Sequence, residues 1–389
     1  MAGTMRWLEV LAVGVYTLEQ TGSPFLVALM YFVRTVPMLL LGSLMGALAE
    51  RIDRRKMLIG GMSGMATTAC VLSLLSLFQL LELWHVALGA AINGMLWTME
   101  HPVRRALLSD AVGTQATAQA MSLDAASTNS TRMFGPISGG LLYAVVGLQG
   151  AYLLGISVYA SAAVLVCFVV PVATIKRSTV EGFWYSLGLG VRYVSSNDVL
   201  SAVMLLTVFA NVFGFSYIAM VPVLGERVFD LGAPGIGLLM SMEGLGASLG
   251  ALLLAFVIRP HMYTQVFSFG AIMFFVMVLL LSVTQSMPMA MVTLFTAGLG
   301  LAGFGTMQST ILLRASSREL RSRVMGVLAV CIGTGPIGVL IVGWLAQHFG
   351  APLALSMTSS FGLVCLVLLC VMRPRLVRSF GADLVETKK

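Results

Sequence analysis

The stretch GALAERIDRRK, Gly46 to Lys56, decides the fold of this chain. It holds four basic residues and two acids, and long apolar stretches flank it on both sides. Because an apolar helix of about 20 residues crosses the hydrocarbon layer of a bilayer, each flank is a candidate membrane span. The quoted stretch is then a short basic loop between two spans, and loops rich in Lys and Arg stay in the cytoplasm.

Composition extends this interpretation to the whole chain. Hydrophobic residues make up 58% of the 389 residues and charged residues only 10%, whereas an ordinary soluble domain has about 25% charged residues. The short polar-apolar alternation of membrane barrel strands is absent. We therefore predict an all-α membrane protein with twelve transmembrane helices, at about 5–19, 23–49, 57–80, 84–103, 117–146, 150–173, 198–224, 233–257, 265–285, 288–313, 324–346 and 352–372.

The distribution of basic residues predicts the orientation. With both termini in the cytoplasm, only Arg227 lies on the outside, and Arg34 and Arg132 fall within spans. The net charge of +7 is then a topology signal and gives no reason to propose a nucleic-acid partner. We predict a monomeric multi-pass protein of the cell inner membrane with both termini cytoplasmic. The first span is short, which fits either a thin-ended helix or a start codon upstream, and no cleavable signal peptide is visible.

Catalytic and metal-binding patterns are missing from the sequence. There is no phosphate-binding Gly-x4-Gly-Lys loop and no HExxH pair, and the five cysteines show no metal-ligand spacing. We predict that the chain is not an enzyme, binds no metal or cofactor, and uses an ion gradient or the gradient of its substrate as its energy source.

Weak internal repeats predict two similar halves. LGSLMGAL at Leu41–Leu48 recurs as LGASLGAL at Leu245–Leu252, and the Gly135-Pro136 step recurs as Gly335-Pro336. Such repeats are typical of transporters built from two bundles. The predicted domains are a six-helix bundle at 1–173, a cytoplasmic linker at 174–197, a second six-helix bundle at 198–373 and a cytoplasmic tail at 374–389.

Several short motifs together resemble the major facilitator superfamily, in particular its drug and siderophore exporter branch. The resemblance rests mainly on the loop signature between spans two and three. This signature is matched by Gly46, Glu50, Arg51, Arg54 and Arg55, with Glu50 replacing the usual Asp and Asp53 at the second Gly position. The other motifs that support it are TGSP (Thr21–Pro24), HPVRRALL (His101–Leu108), RMFGPISGG (Arg132–Gly140) and RSRVMG (Arg321–Gly326). The resemblance covers nearly the whole chain and implies a twelve-helix secondary transporter that works by alternating access.

The basic loop has two interpretations. Gly42 and Gly46 are four residues apart on one helix face, so a neighbouring helix can approach closely, and Glu50 can face the N-terminus of a helix that begins near Ser322. The predicted cytoplasmic gating motif comprises Gly42, Gly46, Glu50, Arg51, Asp53, Arg54, Arg55, Glu100 and Asp110, the last two supplying acids for the arginines. Such a latch is the role that the resemblance implies; the alternative is that the basic residues only set topology and contact anionic lipid headgroups.

Charged residues within spans are the candidates for substrate binding or proton coupling, because each is costly in the bilayer. They are Arg34, Asp124, Arg132 and Glu243, whereas Glu9 and Glu19 are placed less deeply. Arg34 and Glu243 are interpreted as binding substrate, pairing with each other or, for Glu243, carrying a proton. The alternatives are that backbone carbonyls satisfy Arg34 and that Glu243 pairs with a Ser or Thr. Asp124 and Arg132 share one span but are too far apart for direct contact, and Arg132 is expected to shape the fifth helix.

Two further features bear on transport. Gly135, Pro136, Gly139 and Gly140 resemble the end of an antiporter signature and form a predicted helix-bending motif. Trp97, Phe215 and Tyr217 are interpreted either as lining a cavity for a bulky compound or as packing residues. We predict proton-coupled export of a small amphipathic molecule, drug-like or siderophore-like. The alternatives are a lipid or lysophospholipid flippase of the same fold and a membrane assembly factor that does not transport.

Overall fold

The structure is a computed structural model that describes residues 2–49, 52–169, 183–317 and 320–374. Within these ranges the side chains of residues 42–49, 110, 113–115, 117, 118, 122, 183, 184 and 186 are not described. All regular elements of the described ranges are helices. The α-helices are α1 (Ala2–Thr21), α2 (Pro24–Ala49), α3 (Arg54–Leu77), α4 (Leu83–Cys167), α5 (Phe183–Ser195), α6 (Asp198–Phe209), α7 (Val221–Arg227), α8 (Ala233–Val257), α9 (Tyr263–Val283), α10 (Met287–Ala315), α11 (Arg321–Ile332), α12 (Gly335–Phe349) and α13 (Ala351–Met372).

The first helix is longer than predicted. It has 20 residues, about 30 Å at the usual rise per residue, which equals the thickness of the hydrocarbon layer. The prediction stopped short because it placed the polar residues Thr4, Glu19 and Gln20 at or beyond the span ends. Helical geometry continues through these residues.

The predicted fourth, fifth and sixth spans lie in the single long run α4. A straight helix of 85 residues would be about 128 Å long, but side-chain contacts show that the run turns back on itself. Arg105 and Asp124 would be about 28 Å apart along a straight axis, yet Arg105 Nε lies 3.0 Å from Asp124 Oδ2. A second turn lies at Gly147, whose φ of +67° is outside the α-helical region. The three predicted spans are therefore folded together.

Two other predicted spans are interrupted. The seventh consists of α6, a π-helical turn (Ala210–Gly214), a 3₁₀ segment (Phe215–Met220) and α7. The eleventh consists of α11 and α12, which meet at Gly333 and Thr334. Nine segments of the described ranges are long and apolar enough to cross a membrane. This number is three below the twelve predicted spans. Two of the three are lost because α4 counts as one segment instead of three, and the third because α1 contains Arg6, Glu9 and Glu19 within 20 residues.

The chain divides into two compact units. The first contains Met1–Val180 and Val221–Ser241, and the second contains Glu181–Met220 and Met242–Lys389. The segment Val221–Ser241 joins the first unit because α7 packs on α1, where Pro222 contacts the position of Gly14. The core of the first unit is formed by apolar side chains of α1, α3 and the last part of α4, including Leu8, Met62 and Tyr152.

The core of the second unit is aromatic. Phe267, Phe274 and Phe275 of α9 are fully buried, and Phe267 stacks on Phe304 of α10 at a centroid distance of 5.2 Å. Within the predicted linker, α5 packs on α11, and the Tyr193 hydroxyl accepts a hydrogen bond from the Ser317 backbone N–H at 3.3 Å. The part of the predicted linker at 174–182 lies outside the described residues.

Candidate substrate and proton site

A buried ion pair lies in the first unit. Arg34 Nη1 of α2 donates to Glu9 Oε2 of α1 at 3.0 Å, and the exposed fractions of the two residues are 8% and 2%. Arg34 Nη2 also approaches the Arg6 carbonyl at 3.4 Å. Glu9, which was predicted to lie less deeply in the membrane than Arg34, is buried among the helices of the first unit. The partner of Arg34 in its own unit is a carboxylate on the first helix.

Two neutral donors complete the shell of Glu9. The Asn93 amide Nδ2 donates to Oε2 at 3.3 Å and the Tyr159 hydroxyl donates to Oε1 at 3.1 Å. Both residues belong to α4, 66 residues apart, and its folding back brings them to the same carboxylate. Asn93 and Tyr159 are buried. Each oxygen of Glu9 therefore has a donor, and Arg34 balances its charge, which is the condition for keeping a charge in a low-dielectric site.

Glycine permits the close helix crossing that places Arg34. A Cβ at Gly94 of α4 would overlap the backbone carbonyl of Arg34. The second unit repeats this arrangement, because a Cβ at Gly298 of α10 would overlap the carbonyl of Glu243. Gly94 and Gly298 are separated by the same 204 residues as the repeat of Leu41 at Leu245. In both units a buried charged residue on the second helix of the half thus faces a glycine two helices later.

Glu243 is buried in the second unit, with an exposed fraction of 5%. It lies near the middle of α8 in the sequence, and its role in binding or proton coupling stays a prediction.

Asp124 is held by two arginines of the same helical run. Its carboxylate pairs with Arg104 Nη1 and with Arg105 Nε, the latter at 3.0 Å. Burial, and to a lesser extent the neighbouring Arg104, lower the pKa of Arg105. Two adjacent guanidiniums therefore need the carboxylate, and we infer that Asp124 stabilises the turn of α4 between Arg105 and itself.

Arg132 occupies a different environment. Its guanidinium carbon lies 5.1 Å from the centre of the Trp7 ring, within the range of a cation–π contact. The structure thus brings Arg132 to α1, and the expectation that it shapes the fifth predicted helix stays a prediction.

The predicted gating motif is only partly described. Glu50 and Arg51 lie outside the described residues, as do the side chain of Asp110 and the surroundings of Gly42 and Gly46. The Glu100 carboxylate accepts from Arg104 Nε at 2.6 Å, so its described partner is an arginine of its own helix. Arg55 donates from Nη2 to the Cys167 carbonyl at the end of α4. The predicted pairing of Glu100 with the basic loop does not include Arg55.

Asp53 has a local role that the sequence motif did not reveal. Its side chain accepts hydrogen bonds from the backbone N–H groups of Arg55 at 2.9 Å and Lys56 at 3.2 Å. Asp53 is thus the N-cap of α3, and its negative charge also interacts favourably with the positive N-terminal end of the helix dipole. An aspartate at the usual second glycine position therefore fixes the start of the third helix.

The predicted helix-bending motif packs on two neighbours. A Cβ at Gly135 would lie 2.6 Å from the Trp7 Cβ, and one at Gly139 would lie 3.0 Å from the Leu8 Cα. On another side, Gly140 faces the carbonyl of Ala233, and a Cβ at Gly237 of α8 would lie 2.5 Å from the carbonyl oxygen of Pro136. The small residues thus let α1 and the start of α8 approach this part of α4.

The aromatic residues named from the sequence divide into two environments. Trp97 lines a narrow cavity in the first unit together with Arg6, Arg34, Asn93, Glu100 and Tyr159. Tyr217 has an exposed fraction of 2% and packs edge-on against Phe274 at 5.9 Å, and Phe215 packs against the same ring at 5.2 Å. For Tyr217 and Phe215 the packing interpretation is therefore favoured.

Sequence reasoning missed the centre of this site. Glu9 was undervalued, and Arg6, Asn93 and Tyr159 were not selected at all. One signal was available, because Arg6 and Glu9 are three residues apart and share a face of an otherwise apolar helix. No local pattern marks Asn93 or Tyr159, since each is a single polar residue in an apolar run.

The comparisons with known proteins agree with this fold. The transmembrane secretion effector family matches residues 2–388. The Staphyloferrin A transporter of Staphylococcus aureus (strain NCTC 8325 / PS 47) is 23% identical over 346 residues, which cover 89% of this chain and 87% of that protein.

Solved structures show the same architecture at low sequence identity. The nucleoside transporter NupG has a TM-score of 0.73 at 12% identity, and the match covers 95% of this chain and 98% of that one. A bacterial homologue of the human lysosomal transporter Spinster, inward-facing and occupied, also has a TM-score of 0.73, at 13% identity and with coverages of 96% and 94%. The chain therefore belongs to the transmembrane secretion effector family of the major facilitator superfamily and is a multi-pass membrane transporter.

Proposed function

We propose that this transporter exports a small amphipathic molecule, drug-like or siderophore-like, in exchange for protons. The observation that carries the proposal is the buried pair of Glu9 and Arg34. A carboxylate in this environment has two stable partnerships. Arg34 balances its charge in this structure, and a proton could replace Arg34 as its partner when Arg34 turns to an anionic group of a substrate. Proton and substrate binding then exclude each other.

The Staphyloferrin A transporter among the relatives supports a siderophore-like substrate. Glu243 is a second candidate for proton coupling, because it is equally buried and occupies the second unit. We further propose that the protein lies in the cell inner membrane as a monomer with both termini cytoplasmic, and that the basic loop around Arg54 acts as a cytoplasmic gate.

The first experiment measures accumulation of dyes, antibiotics and catechol siderophores in efflux-deficient cells with and without the protein. We expect lower accumulation in cells that contain the protein, and recovery when the proton gradient is collapsed, because the driving force is then removed. Unchanged accumulation across the panel, with the protein shown to be in the membrane, would contradict export of these classes. It would favour lipid translocation, tested with labelled lipid in liposomes, or a role without transport.

A second experiment assigns the proton-carrying residue. Transport by Glu9→Gln and Glu243→Gln is measured as a function of pH, with Glu82→Gln as the control. Glu82 is an acid at the start of α4 that bonds Trp84 and His85, so its removal leaves both buried acids in place. The variant that lacks the coupling acid loses the pH dependence of transport. Unchanged pH dependence in both buried-acid variants rules out both assignments.

A further inference from the structure

A narrow cavity next to the Glu9–Arg34 pair is lined by the Arg6 side chain, which has no ion pair among the residues that the structure describes. It is lined by Arg6, Arg34, Asn93, Trp97, Glu100 and Tyr159, with Ala2 and Met65 closing its apolar side. All of these residues belong to the first unit. The polar groups on its wall come from α1, α2 and both arms of the folded α4.

Arg6 differs from the other arginines around the cavity. Arg34 pairs with Glu9, and Arg104 pairs with Glu100 and Asp124. The Arg6 guanidinium instead lies on aromatic rings, 3.4 Å from the centre of Trp97 and 5.2 Å from that of Trp7. In the described part of the chain it makes no hydrogen bond to a carboxylate. Trp97 thus fixes the plane of the guanidinium and leaves its N–H donors for another acceptor.

Asn93 offers the complementary group. Its Nδ2 donates to Glu9 at 3.3 Å, whereas its Oδ1 is buried without a hydrogen-bond partner among the described residues. The opposite orientation of the amide would place two acceptors against each other at Glu9, so the hydrogen-bond network fixes Oδ1 as the free atom. A buried carbonyl oxygen of this kind needs a donor.

The charges define which ligand fits. Of the charged residues that line the cavity, Arg34 pairs with Glu9 and Glu100 pairs with Arg104, whereas Arg6 has no ion pair among the described residues. An uncompensated buried charge is costly, so an anion is favoured there. The ligand must also present a hydrogen-bond donor to Asn93 Oδ1, next to its anionic group.

We propose that this cavity binds the acidic end of a 2-hydroxycarboxylate, with Arg6 holding the carboxylate and Asn93 Oδ1 accepting the hydroxyl. The inference rests on the proposed export function and names the chemical class of the substrate group that the site recognises. The cavity is narrow, so it takes one end of the molecule. Trp97 acts as a positioning residue, because it reaches the ligand only through the guanidinium that it supports.

The test uses malate and succinate, which differ only in the 2-hydroxyl group. Binding of each to the purified full-length protein in detergent is measured by isothermal titration and by tryptophan fluorescence. We expect malate to bind about tenfold more tightly than succinate, the effect of one added hydrogen bond to a buried acceptor. Arg6→Gln should lose binding of both acids, Arg6→Lys should retain part of it, and Asn93→Ala should bind both acids equally.

The matched control is Arg314→Gln, which removes a guanidinium that lies on Tyr263 in the second unit and should leave malate binding unchanged. Equal affinity of the wild type for the two acids overturns the proposal. So does unchanged binding in Arg6→Gln, or binding of sulfate or chloride as tight as that of malate, which would identify a general anion site. If Arg6→Gln does not fold, the malate-to-succinate ratio of Asn93→Ala decides the question.

The experiments distinguish failure of this ligand proposal from failure of the proposed export function. Proton-dependent export without malate binding refutes the ligand class and leaves the exporter in place. Malate binding with the expected variant pattern, but no substrate flux under a proton gradient, confirms the binding site and refutes the exporter.

Discussion

At the scale of single residues, the position of charge decides what this protein can do. Glu9 is one of the most buried acids of the described chain, with an exposed fraction of 2%, and it has an arginine, an amide and a phenol as donors. A buried pair of this kind adds little net stability, but removal of one partner leaves an uncompensated charge. The stability of the fold is therefore expected to fall when one partner of the pair is replaced, and to fall less when both are replaced together.

This gives a prediction for stability. Glu9→Gln and Arg34→Gln should each lower the free energy of unfolding by about 3 to 5 kcal/mol, because each leaves a buried charge unpaired. The double variant should lose less than the sum of the two. The measurement is thermal unfolding of the purified protein in detergent, analysed as a double-mutant cycle. Strictly additive losses would show that the two side chains do not interact.

At the scale of helices, small residues and turn-forming ion pairs determine how the spans pack. Gly298 lets α10 approach the carbonyl of Glu243 on α8, whereas a Cβ at Gly305, seven residues later on α10, would meet nothing within 4 Å. The two glycines therefore form a matched pair on one helix.

Gly298→Ala should destabilise the protein by about 1 to 3 kcal/mol, because the added methyl group forces the two backbones apart. Gly305→Ala should be neutral or stabilising by up to about 1 kcal/mol, since alanine is the better helix former. Unfolding temperatures of the two variants in the same detergent compare them directly. Equal losses at both positions would contradict the close crossing of α8 and α10.

The fold-back of α4 gives a further prediction at this scale. Asp124 holds Arg104 and Arg105 across the turn, so Asp124→Asn should free both arginines. We expect faster trypsin cleavage after Arg104 and Arg105 in that variant. Asp230→Asn is the control, because Asp230 is exposed and has a φ of +52°, a conformation that asparagine tolerates. Equal rates of cleavage in the two variants would show that Asp124 does not stabilise this turn of α4.

At the scale of the whole molecule, the distribution of basic residues predicts which ends of the helices face the cytoplasm. His261 and Ser286 flank α9 at opposite ends, and the predicted topology places His261 inside and Ser286 outside. Single cysteines at these two positions report on which side of the membrane each position lies. They are introduced into a variant without the five native cysteines. An impermeant maleimide added to intact cells should label Ser286→Cys and spare His261→Cys, and the reverse pattern would invert the topology.

Much of the fold could be predicted from the sequence because bilayer physics acts on local composition. An apolar run of about 20 residues has few alternatives to a spanning helix, so the all-α class and most span positions follow from hydropathy alone. The interruptions did not follow in this way. The break at Gly333 and Thr334 and the π-helical turn at Ala210–Gly214 depend on neighbouring helices, which hydropathy does not describe.

The candidate site was predictable only in part. Arg34 and Glu243 stood out because isolated charges are rare in apolar runs. Asn93 and Tyr159 did not stand out, because a single amide or phenol in a span is common and its meaning depends on its contact. Glu100 was predicted to supply an acid for the basic loop, and its described partner is Arg104, one turn away on the same helix.

The sequence by itself determined that this chain is a membrane-embedded helical transporter of the major facilitator type. Local hydrophobicity, basic loops and short motifs carry that information. Only the tertiary structure decided that Glu9 is the partner of Arg34 and that α4 brings Asn93 and Tyr159 to the same carboxylate. It also placed Arg6 on Trp97, with no ion pair to an acid among the described residues. These are contacts between residues up to 150 positions apart, and they arise from helix packing and chain reversal, which no short window of sequence contains.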